Sequence, residues 1–238
     1  MPKTMLVLGA RNLGAAIAQH FAAEGWSVAA GARSAETITA LSERIPSALG
    51  VILDATRPEE VGRACDETRA RFGTLDLCVN AVSPGMRSQG SFGGGLLAEA
   101  SSEDFEHYAV QVLRQSFAFW SACSRTVAEG GTLVQITGGS ARRAMPGKGP
   151  WAAGAFATRA MSQAAALEMR EVGVHAALLV VDATIASPKT EAYTREVPAD
   201  GLASQEDVAR AVAYLEAQDP GAWTHELQIT PRADNWSP

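Results

Sequence analysis

The sequence is poor in the residue types that form disulfides or bind metals. It has three cysteines and four histidines in 238 residues. Cys65, Cys78 and Cys123 are far apart, form no Cys-x-x-Cys pair and each lie in an apolar or helical context. The histidines also lack the spacing of metal ligands. We therefore expect the cysteines to pack in the core, and we expect no metal site.

Positive charge and long apolar runs are also scarce. Lysine and arginine total 20 against 26 acidic residues, a net charge of −6 that argues against nucleic acid or an anionic membrane as a partner. No apolar run approaches the roughly 20 residues of a membrane helix. No charged-then-apolar leader precedes the first predicted strand. We expect a cytoplasmic protein whose partners are small molecules and protein subunits.

The chain alternates short aliphatic runs with longer amphipathic stretches. The runs predict strands near residues 5–8, 27–31, 50–53, 76–79, 132–136, 174–181 and 226–230, with helices between them. Such alternation is typical of βαβ units, whose right-handed crossovers cover a parallel sheet on both faces. We predict an α/β fold: one Rossmann-like domain over residues 1–238, with a doubly wound parallel sheet of about seven strands and helices on both faces.

Three irregular stretches are expected to shape a ligand pocket. Residues 83–95 and 138–150 are rich in glycine or proline, and each follows a strand on the side where such folds bind ligands. Residues 183–201 include Pro188, Pro198 and many polar side chains, which favours a mobile lid.

A glycine-containing turn follows the first predicted strand. Gly9 and Gly14 enclose Ala10, Arg11, Asn12 and Leu13, and the turn opens a helix. The unpaired N–H groups at such a helix start can bind a pyrophosphate. Arg11 stands where a G-x-G-x-x-G motif has its second glycine, and Asn12 is a candidate for the left-handed conformation. The alternative is a tight strand-to-helix turn with no ligand.

The end of the second predicted strand indicates which dinucleotide fits best. Ala32 stands where an acidic residue would bind an adenosine 2′-hydroxyl, and Arg33 follows it. The Arg33 guanidinium, helped by Arg11, can pair with a 2′-phosphate, so we expect NADP(H) to be preferred over NAD(H). The alternative is that Arg33 is an ordinary solvated side chain.

Further motifs carry a family resemblance over nearly the whole chain. Asp54-Ala55 resembles an Asp-Val pair that borders adenine, and Asn80-Ala81 resembles the start of an Asn-Asn-Ala-Gly motif. In order with the glycine turn, they resemble the short-chain dehydrogenase/reductase family, whose own turn normally reads TGxxxGxG. The resemblance implies dinucleotide binding by Gly9, Arg11, Asn12, Leu13, Gly14, Arg33, Asp54, Ala55, Asn80 and Ala81. The alternatives are that Asp54 caps a helix and that Asn80 braces the sheet.

The same resemblance implies that the family's catalytic residues are missing. Its Asn, Ser, Tyr and Lys are matched by Val112, Gly138, Trp151 and Ala155, and the last three keep the Ser-x12-Tyr-x3-Lys spacing. Four residues after the three tyrosines stand Val112, Val197 and Gln218, so no Tyr-x3-Lys occurs in any register. A general acid contributes about 10²- to 10⁴-fold, so ordinary carbonyl reduction should be crippled.

Other residues are candidates for a substrate pocket with Gly138 and Trp151. Ser140 can orient an oxygen, or it can bond to backbone. Tyr193 on the predicted lid can supply a proton on closure, or it can pack its ring. Asp182 can contact a ligand, or it can cap the next turn.

Basic residues near the same loop allow two interpretations. Arg142, Arg143 and Lys148 can bind an acidic substrate such as a carboxylate or a CoA phosphate, or they can form a solvated basic loop. Arg159 lies about two helical turns after Trp151, which favours a surface or interface position over a replacement for the missing lysine.

Two functions fit these features. The first is a noncatalytic NADP(H)-binding protein, either a sensor or the silent partner of an active paralogue. The alternative is an unusual NADPH-dependent oxidoreductase acting on a C=C or C=N bond, or a nonredox enzyme with Trp151 as an aromatic platform. The resemblance implies a dimer or tetramer, formed by this chain alone or with a paralogue, through two long helices that we predict near residues 102–128 and 151–172.

Overall fold

A computed structural model of the protein describes residues 2–85, 87, 92–187 and 190–233, without the side chains of residues 192 and 193. Its seven strands are β1 Thr4–Leu8, β2 Ser27–Ala32, β3 Leu49–Ile52, β4 Leu77–Asn80, β5 Thr132–Gly138, β6 His175–Val181 and β7 Glu226–Ile229. They form one parallel sheet in the order β3-β2-β1-β4-β5-β6-β7. The predicted fold class is confirmed, and the strand ends differ from expectation by at most two residues.

Helices cover both faces of this sheet. Their bounds are α1 Leu13–Ala23, α2 Ala35–Arg44, α3 Pro58–Phe72, α4 Ser102–Phe105, α5 Gln111–Cys123, α6 Gly149–Arg170, α7 Glu191–Thr194 and α8 Gln205–Glu216. Buried residues of α1, α2 and α8 form one core with one face of the sheet, and those of α3, α5 and α6 form the other. β1 lies between β2 and β4, so the chain reverses its direction of winding there, which is where folds of this type open a crevice.

The long helix predicted over residues 102–128 is present as a continuous run of helical residues over 102–123, but it is irregular and ends five residues early. A π-helical turn, Glu106–Val110, separates α4 from α5, and α5 ends at Cys123. The turn lies where α6 comes closest: a Cβ on Gly154 would be 2.9 Å from the Tyr108 carbonyl oxygen. The helix predicted over residues 151–172 is α6, displaced by two residues toward the N-terminus with Pro150 in its first turn.

The cysteines are buried, as predicted, but they are not apart in space. Cys65 of α3 and Cys123 of α5 have their sulfur atoms 3.8 Å apart, and Cys78 on β4 is buried in the same core. All three thiols are free. The described residues contain no group of three or more His, Cys, Asp or Glu side chains arranged for a metal ion. They also contain no helix with the length and hydropathy required to cross a membrane.

Candidate functional site

The glycine turn brings three backbone segments into contact. Gly9 has φ +91°, and a Cβ there would be 3.0 Å from the backbone of Ala81. A Cβ on Gly14 would be 2.2 Å from the Gly9 carbonyl oxygen. Both glycines are therefore required for α1 to start this close to the ends of β1 and β4. Asn12 has φ +40° as expected, but its ψ of −104° lies outside the left-handed helical region.

A cleft of about 1520 Å³ extends from this turn along the carboxyl ends of the strands. Of the predicted cofactor residues, its walls include Gly9, Arg11, Asn12, Leu13, Arg33, Asp54, Ala55 and Ala81. Gly14 and Asn80 are buried and do not line it. Of the predicted pocket residues, its walls include Gly138, Ser140, Trp151 and Asp182. The side chain of Tyr193 lies outside the described residues, so its role stays a prediction.

One end of the cleft, the glycine-turn end, carries two exposed guanidinium groups. Neither Arg11 nor Arg33 forms an ion pair with another described residue. Asp54 faces them and accepts hydrogen bonds from the Thr56 N–H at 3.0 Å and the Thr56 hydroxyl at 2.9 Å. Burial raises the pKa of Asp54, but these two bonds and the charges of Arg33 and Arg57 outweigh it and hold the pKa below its usual range. Asp54 therefore both braces its own turn and lines the cleft.

Asn80 braces the sheet behind this end. Its side-chain amide donates to Gln135 Oε1 on β5 at 2.9 Å, and its Oδ1 accepts from the Val82 N–H at 3.2 Å. The residue is completely buried. Its contacts match the structural alternative from the sequence, because the side chain fixes how the chain leaves β4.

The other end of the cleft, the Trp151 end, is bordered by aromatic rings. The Trp151 and Phe92 rings have centroids 5.6 Å apart, and Phe92 meets Tyr108 edge-on at 5.7 Å. Gly138 lies beneath the indole: a Cβ there would be 3.8 Å from Trp151 Cζ2, which is ordinary contact distance. A side chain at residue 138 would therefore fit but would cover the indole edge.

Three consecutive glycines hold Phe92 in this place. Gly93, Gly94 and Gly95 have φ between +80° and +100°. The Gly93 carbonyl accepts from the Trp151 N–H at 3.3 Å, and the Gly95 N–H donates to Gly147 at 3.0 Å. A Cβ on Gly94 would be 2.6 Å from Pro150. This segment, which we call the glycine strap, thus ties the loop to the first turn of α6.

Two hydroxyls face the cleft beside Gly138. Thr137 and Ser140 are each 9% exposed, and both line the cleft. Neither side chain forms a hydrogen bond to another described residue. The expected backbone bond of Ser140 is therefore not found among the described residues, and both hydroxyls are available to a ligand oxygen or nitrogen.

Asp182 is held by side chains rather than by a turn. Its carboxylate accepts two bonds from the Arg143 guanidinium, at 2.8 and 3.4 Å, and one from Gln228 at 3.1 Å. A Cβ on Gly139 would be only 1.8 Å from Asp182 Oδ1, so glycine is required beside the carboxylate. The pair with Arg143 places Asp182 in the cleft wall.

The predicted basic loop is largely neutralised. Besides the Arg143–Asp182 pair, Arg142 contacts Glu226 of β7 at 3.0 Å, and Arg159 of α6 contacts the same carboxylate at 2.7 Å. Arg142 and Arg143 are thus partly solvated, as one interpretation expected, but each already has a carboxylate partner, and their binding of an acidic substrate stays a prediction. Arg159 is partly exposed, with 27% of its side chain accessible, and it does not line the cleft, which agrees with a surface position rather than a replacement for the missing lysine.

Comparison with known proteins agrees with this architecture. The sequence profile of a family described as enoyl-(acyl carrier protein) reductase matches residues 7–224. The chain belongs to the short-chain dehydrogenase/reductase family. It is 26% identical to the 3-oxoacyl-(acyl-carrier-protein) reductase FabG of Escherichia coli over 236 residues, covering 94% of this chain and 93% of that protein.

Two solved structures show the same fold. A dehydrogenase/reductase from Sinorhizobium meliloti 1021 is 27% identical, with a TM-score of 0.78, covering 95% of this chain and 93% of that one. A blue fluorescent protein from a metagenomic library, solved in complex with NADPH, is 23% identical with a TM-score of 0.79, covering 96% of each chain. The predicted family is thus confirmed.

Within this short-chain dehydrogenase/reductase fold, the four positions matched to the catalytic residues are not equivalent. Val112, Gly138 and Trp151 line the cleft. Ala155 is completely buried and does not line it. The correspondence of these positions to the family's Asn, Ser, Tyr and Lys stays a prediction.

Sequence reasoning missed several cleft residues. Phe92 was included only as part of a loop, although an aromatic residue directly before three glycines is a visible signal. Gln115, Gln135 and Thr158 line the cleft floor. They come from α5, β5 and α6, and no local motif distinguishes them from core residues. Only the packing of those elements reveals them.

Proposed function

We propose that the protein binds NADP(H) at the glycine-turn end and does not use the family's Tyr-Lys chemistry, so that it acts as a noncatalytic cofactor-binding protein or partner subunit. The observation that carries this proposal is the contrast between the two ends of one cleft. The glycine turn keeps the close backbone contacts that a pyrophosphate site needs. The other end presents Trp151, and residue 155 is a buried alanine.

The residues at the glycine-turn end fit a dinucleotide with a 2′-phosphate. The turn residues from Gly9 to Leu13 line the cleft where α1 starts, which suits a pyrophosphate, and Asp54 and Ala55 line the part of the wall that we assign to the adenosine. The unpaired guanidinium groups of Arg11 and Arg33 suit an extra phosphate. The structurally similar metagenomic protein that was solved with NADPH supports the cofactor class. When bound, NADPH supplies a hydride, whereas this chain would bind and orient it.

The Trp151 end supports one alternative. Thr137 and Ser140 present two hydroxyls to the cleft beside the indole. They can orient a substrate through hydrogen bonds, which suits reduction of a C=C or C=N bond, or a nonredox step, more than carbonyl reduction with its need for a strong proton donor. Turnover of conjugated enones or imines with NADPH would favour this alternative.

We also propose that the chain associates with a second copy or with an active paralogue. The exposed faces of α5 and α6 carry Leu113, Phe117, Phe156 and Leu167, with exposed fractions of 39%, 55%, 42% and 64%. Apolar side chains gathered on two adjacent helices are typical of subunit contacts. Sedimentation should show an oligomer for the wild type. Phe117→Glu should sediment as a smaller species, because the added charge disrupts the apolar contact. A wild type that sediments as a monomer at micromolar concentration would limit the proposal to a paralogue.

Cofactor binding is tested by parallel titrations with NADPH and NADH, in which the fluorescence of the nucleotide reports binding. We expect saturable NADPH binding that is at least about tenfold tighter than NADH binding, since a charge-assisted contact contributes about 1.5–3 kcal/mol. We also expect no NADPH oxidation with a panel of aldehydes and ketones. Failure to bind either nucleotide would overturn the cofactor proposal, and fast carbonyl reduction would overturn the noncatalytic one.

A further inference from the structure

We propose that the Trp151 end of the cleft is a binding site for a planar, uncharged, π-rich molecule with an oxygen at one edge. The inference rests on the proposed function only in assigning the glycine-turn end to the dinucleotide. The whole cleft, about 1520 Å³ in volume, exceeds the 300–1,000 Å³ that a typical ligand site occupies. A second molecule therefore has room beside a nucleotide.

The aromatic border supplies the flat surface. Trp151 and Phe92 both line the cleft, are partly exposed within it, and are tilted 56° to each other. Their rings therefore form a corner rather than a closed stack. A planar ring system can lie on the indole face while its edge meets the Phe92 ring, an arrangement that aromatic quadrupoles favour.

The corner is fixed before any ligand arrives. The Phe92 ring is packed edge-on against the buried Tyr108, and the glycine strap ties the Phe92 backbone to the start of α6. Because Trp151 lies in the first turns of that same helix, the two rings are held by one rigid unit. Little side-chain entropy is lost when such a surface binds a ligand, and this favours affinity.

Two hydroxyl groups lie together at one edge of this corner. Thr137 and Ser140 flank Gly138, which itself lies beneath the indole edge. Both hydroxyls are nine-tenths buried and form no hydrogen bond to another described residue. Because both residues line the cleft, their hydroxyls can donate to or accept from a ligand hydroxyl or carbonyl at this edge.

The charges around the corner are mostly paired with each other. Arg143 pairs with Asp182 at 2.8 Å, and Arg87 pairs with Asp104 at 2.8 Å. The remaining described charges on this wall include Lys148 and Glu103, which are exposed and opposite in sign, and Glu106, which pairs with Arg114 at 3.2 Å. Apart from the exposed Lys148 and Glu103, a charged ligand would meet only charges that already have partners and would have to break a pair to reach them, so an uncharged ligand is favoured.

The test uses four probes of matched size: 2-naphthol, naphthalene, decahydro-2-naphthol and 2-naphthoate. Calorimetric titration of the full chain should give the tightest binding for 2-naphthol. We expect the saturated alcohol and the carboxylate each to bind about tenfold more weakly, because one loses the stacking and the other brings an unpaired charge. Equal affinity for the saturated alcohol, or tighter binding of the carboxylate, would overturn the proposal.

Variants then locate the site. Trp151→Leu should weaken 2-naphthol binding about tenfold, Trp151→Phe should retain most of it, and Phe92→Leu should have an intermediate effect. Ser140→Ala should weaken 2-naphthol but leave naphthalene unchanged. Trp223→Phe, whose ring lies outside the cleft on His175, is the matched control and should change nothing. Unchanged 2-naphthol affinity in both Trp151→Leu and Ser140→Ala would place the probe elsewhere and overturn the assignment.

Each titration is repeated with saturating NADPH to separate the two proposals. If NADPH binds and the probes do not, only the proposal of the aromatic site is overturned. Probe binding that persists in a protein with no affinity for NADPH overturns only the proposed cofactor function. Both molecules binding together, with neither displacing the other, is the result expected if the cleft holds two occupants.

Discussion

The two ends of the cleft differ in what defines them. At the glycine-turn end the geometry is set by backbone: a Cβ on Gly14 would meet the Gly9 carbonyl oxygen at 2.2 Å. At the Trp151 end a Cβ on Gly138 would be 3.8 Å from the nearest side-chain atom, which leaves space for a different residue at that position. A site whose shape depends on close backbone contacts cannot be changed without altering the fold. A site formed by side chains can acquire different chemical groups while the fold stays the same.

The test with the largest expected effect introduces a lysine at position 155, which matches the family's catalytic lysine in sequence. Ala155 is completely buried and does not line the cleft, so Ala155→Lys should bury an unpaired charge and reduce the free energy of unfolding by about 3–5 kcal/mol. Denaturant unfolding measures this loss. Ala155→Met is the matched control, of similar length but uncharged, and should cost about 1–3 kcal/mol.

The same substitution also tests whether only the dyad has been lost. We expect the double variant Trp151→Tyr with Ala155→Lys to remain inactive toward carbonyl compounds, because a lysine at the completely buried position 155 should displace the residues packed around it. If the double variant instead folds normally and reduces ketones with NADPH, the Trp151 end is an intact site that lacks two side chains, and the contrast between the ends is much smaller than proposed.

A second test acts on the backbone-defined end. Gly14→Ala should lower the free energy of unfolding by about 2–3 kcal/mol and abolish NADPH binding, since the new methyl group forces α1 away from Gly9. Gly62→Ala is the control: it is also in a helix, no atom lies within 4 Å of its Cβ, and it should stabilise the protein by up to about 1 kcal/mol. Normal NADPH affinity in Gly14→Ala would show that the turn is not the nucleotide site.

A third test concerns the side chains that surround the backbone cradle. Arg33→Ala should weaken NADPH binding about 10- to 100-fold and leave NADH binding nearly unchanged, because only the 2′-phosphate loses a partner. Fluorescence titration of both nucleotides measures the ratio. Arg44→Ala, at an exposed position on α2 away from the cleft, should not change either affinity. An equal loss for both nucleotides would assign Arg33 a structural role.

The sequence was sufficient to predict the sheet because its strands are local patterns. The runs near residues 5–8 and 174–181 are apolar on both faces, as a covered parallel strand requires. The π-helical turn between α4 and α5 was not predicted, because its residues have the same composition as those of the helix around it. Its cause is the approach of α6 at Gly154, a contact between segments more than 40 residues apart in the chain.

The candidate site was predictable only where a motif is contiguous. The glycine turn and Arg33 lie in short segments after known strands, and the structure places them along the same cleft. The pairing of Arg143 with Asp182, and of Arg142 and Arg159 with Glu226, joins a loop, a helix and two strands. No single segment contains both partners, so the charges appeared to be a free basic loop.

The smallest expected effect concerns His175, the first residue of β6. It lies at the amino end of the strand, away from the cleft at the carboxyl ends. Its two ring nitrogens face the carbonyl oxygens of Leu215 and Thr224 at 3.1 and 3.0 Å. Two acceptors favour the charged ring, but burial has the larger effect, and with the neighbouring His225 it lowers the pKa of His175 below its usual value. The neutral ring is therefore the stable form in the folded protein.

Because the folded pKa is below the unfolded value of about 6.5, this residue should stabilise the protein fully above that pH and progressively less as the pH falls below it. The slope can reach about 1.4 kcal/mol per pH unit, and denaturant unfolding between pH 7 and 5 measures it. His175→Gln should flatten that slope, while His20→Gln, which leaves these contacts intact, should not. NADPH affinity of the folded protein should not depend on either substitution, since both residues lie outside the cleft. A wild type that becomes more stable toward pH 5, in a way that His175→Gln removes, would show that the two carbonyls outweigh burial.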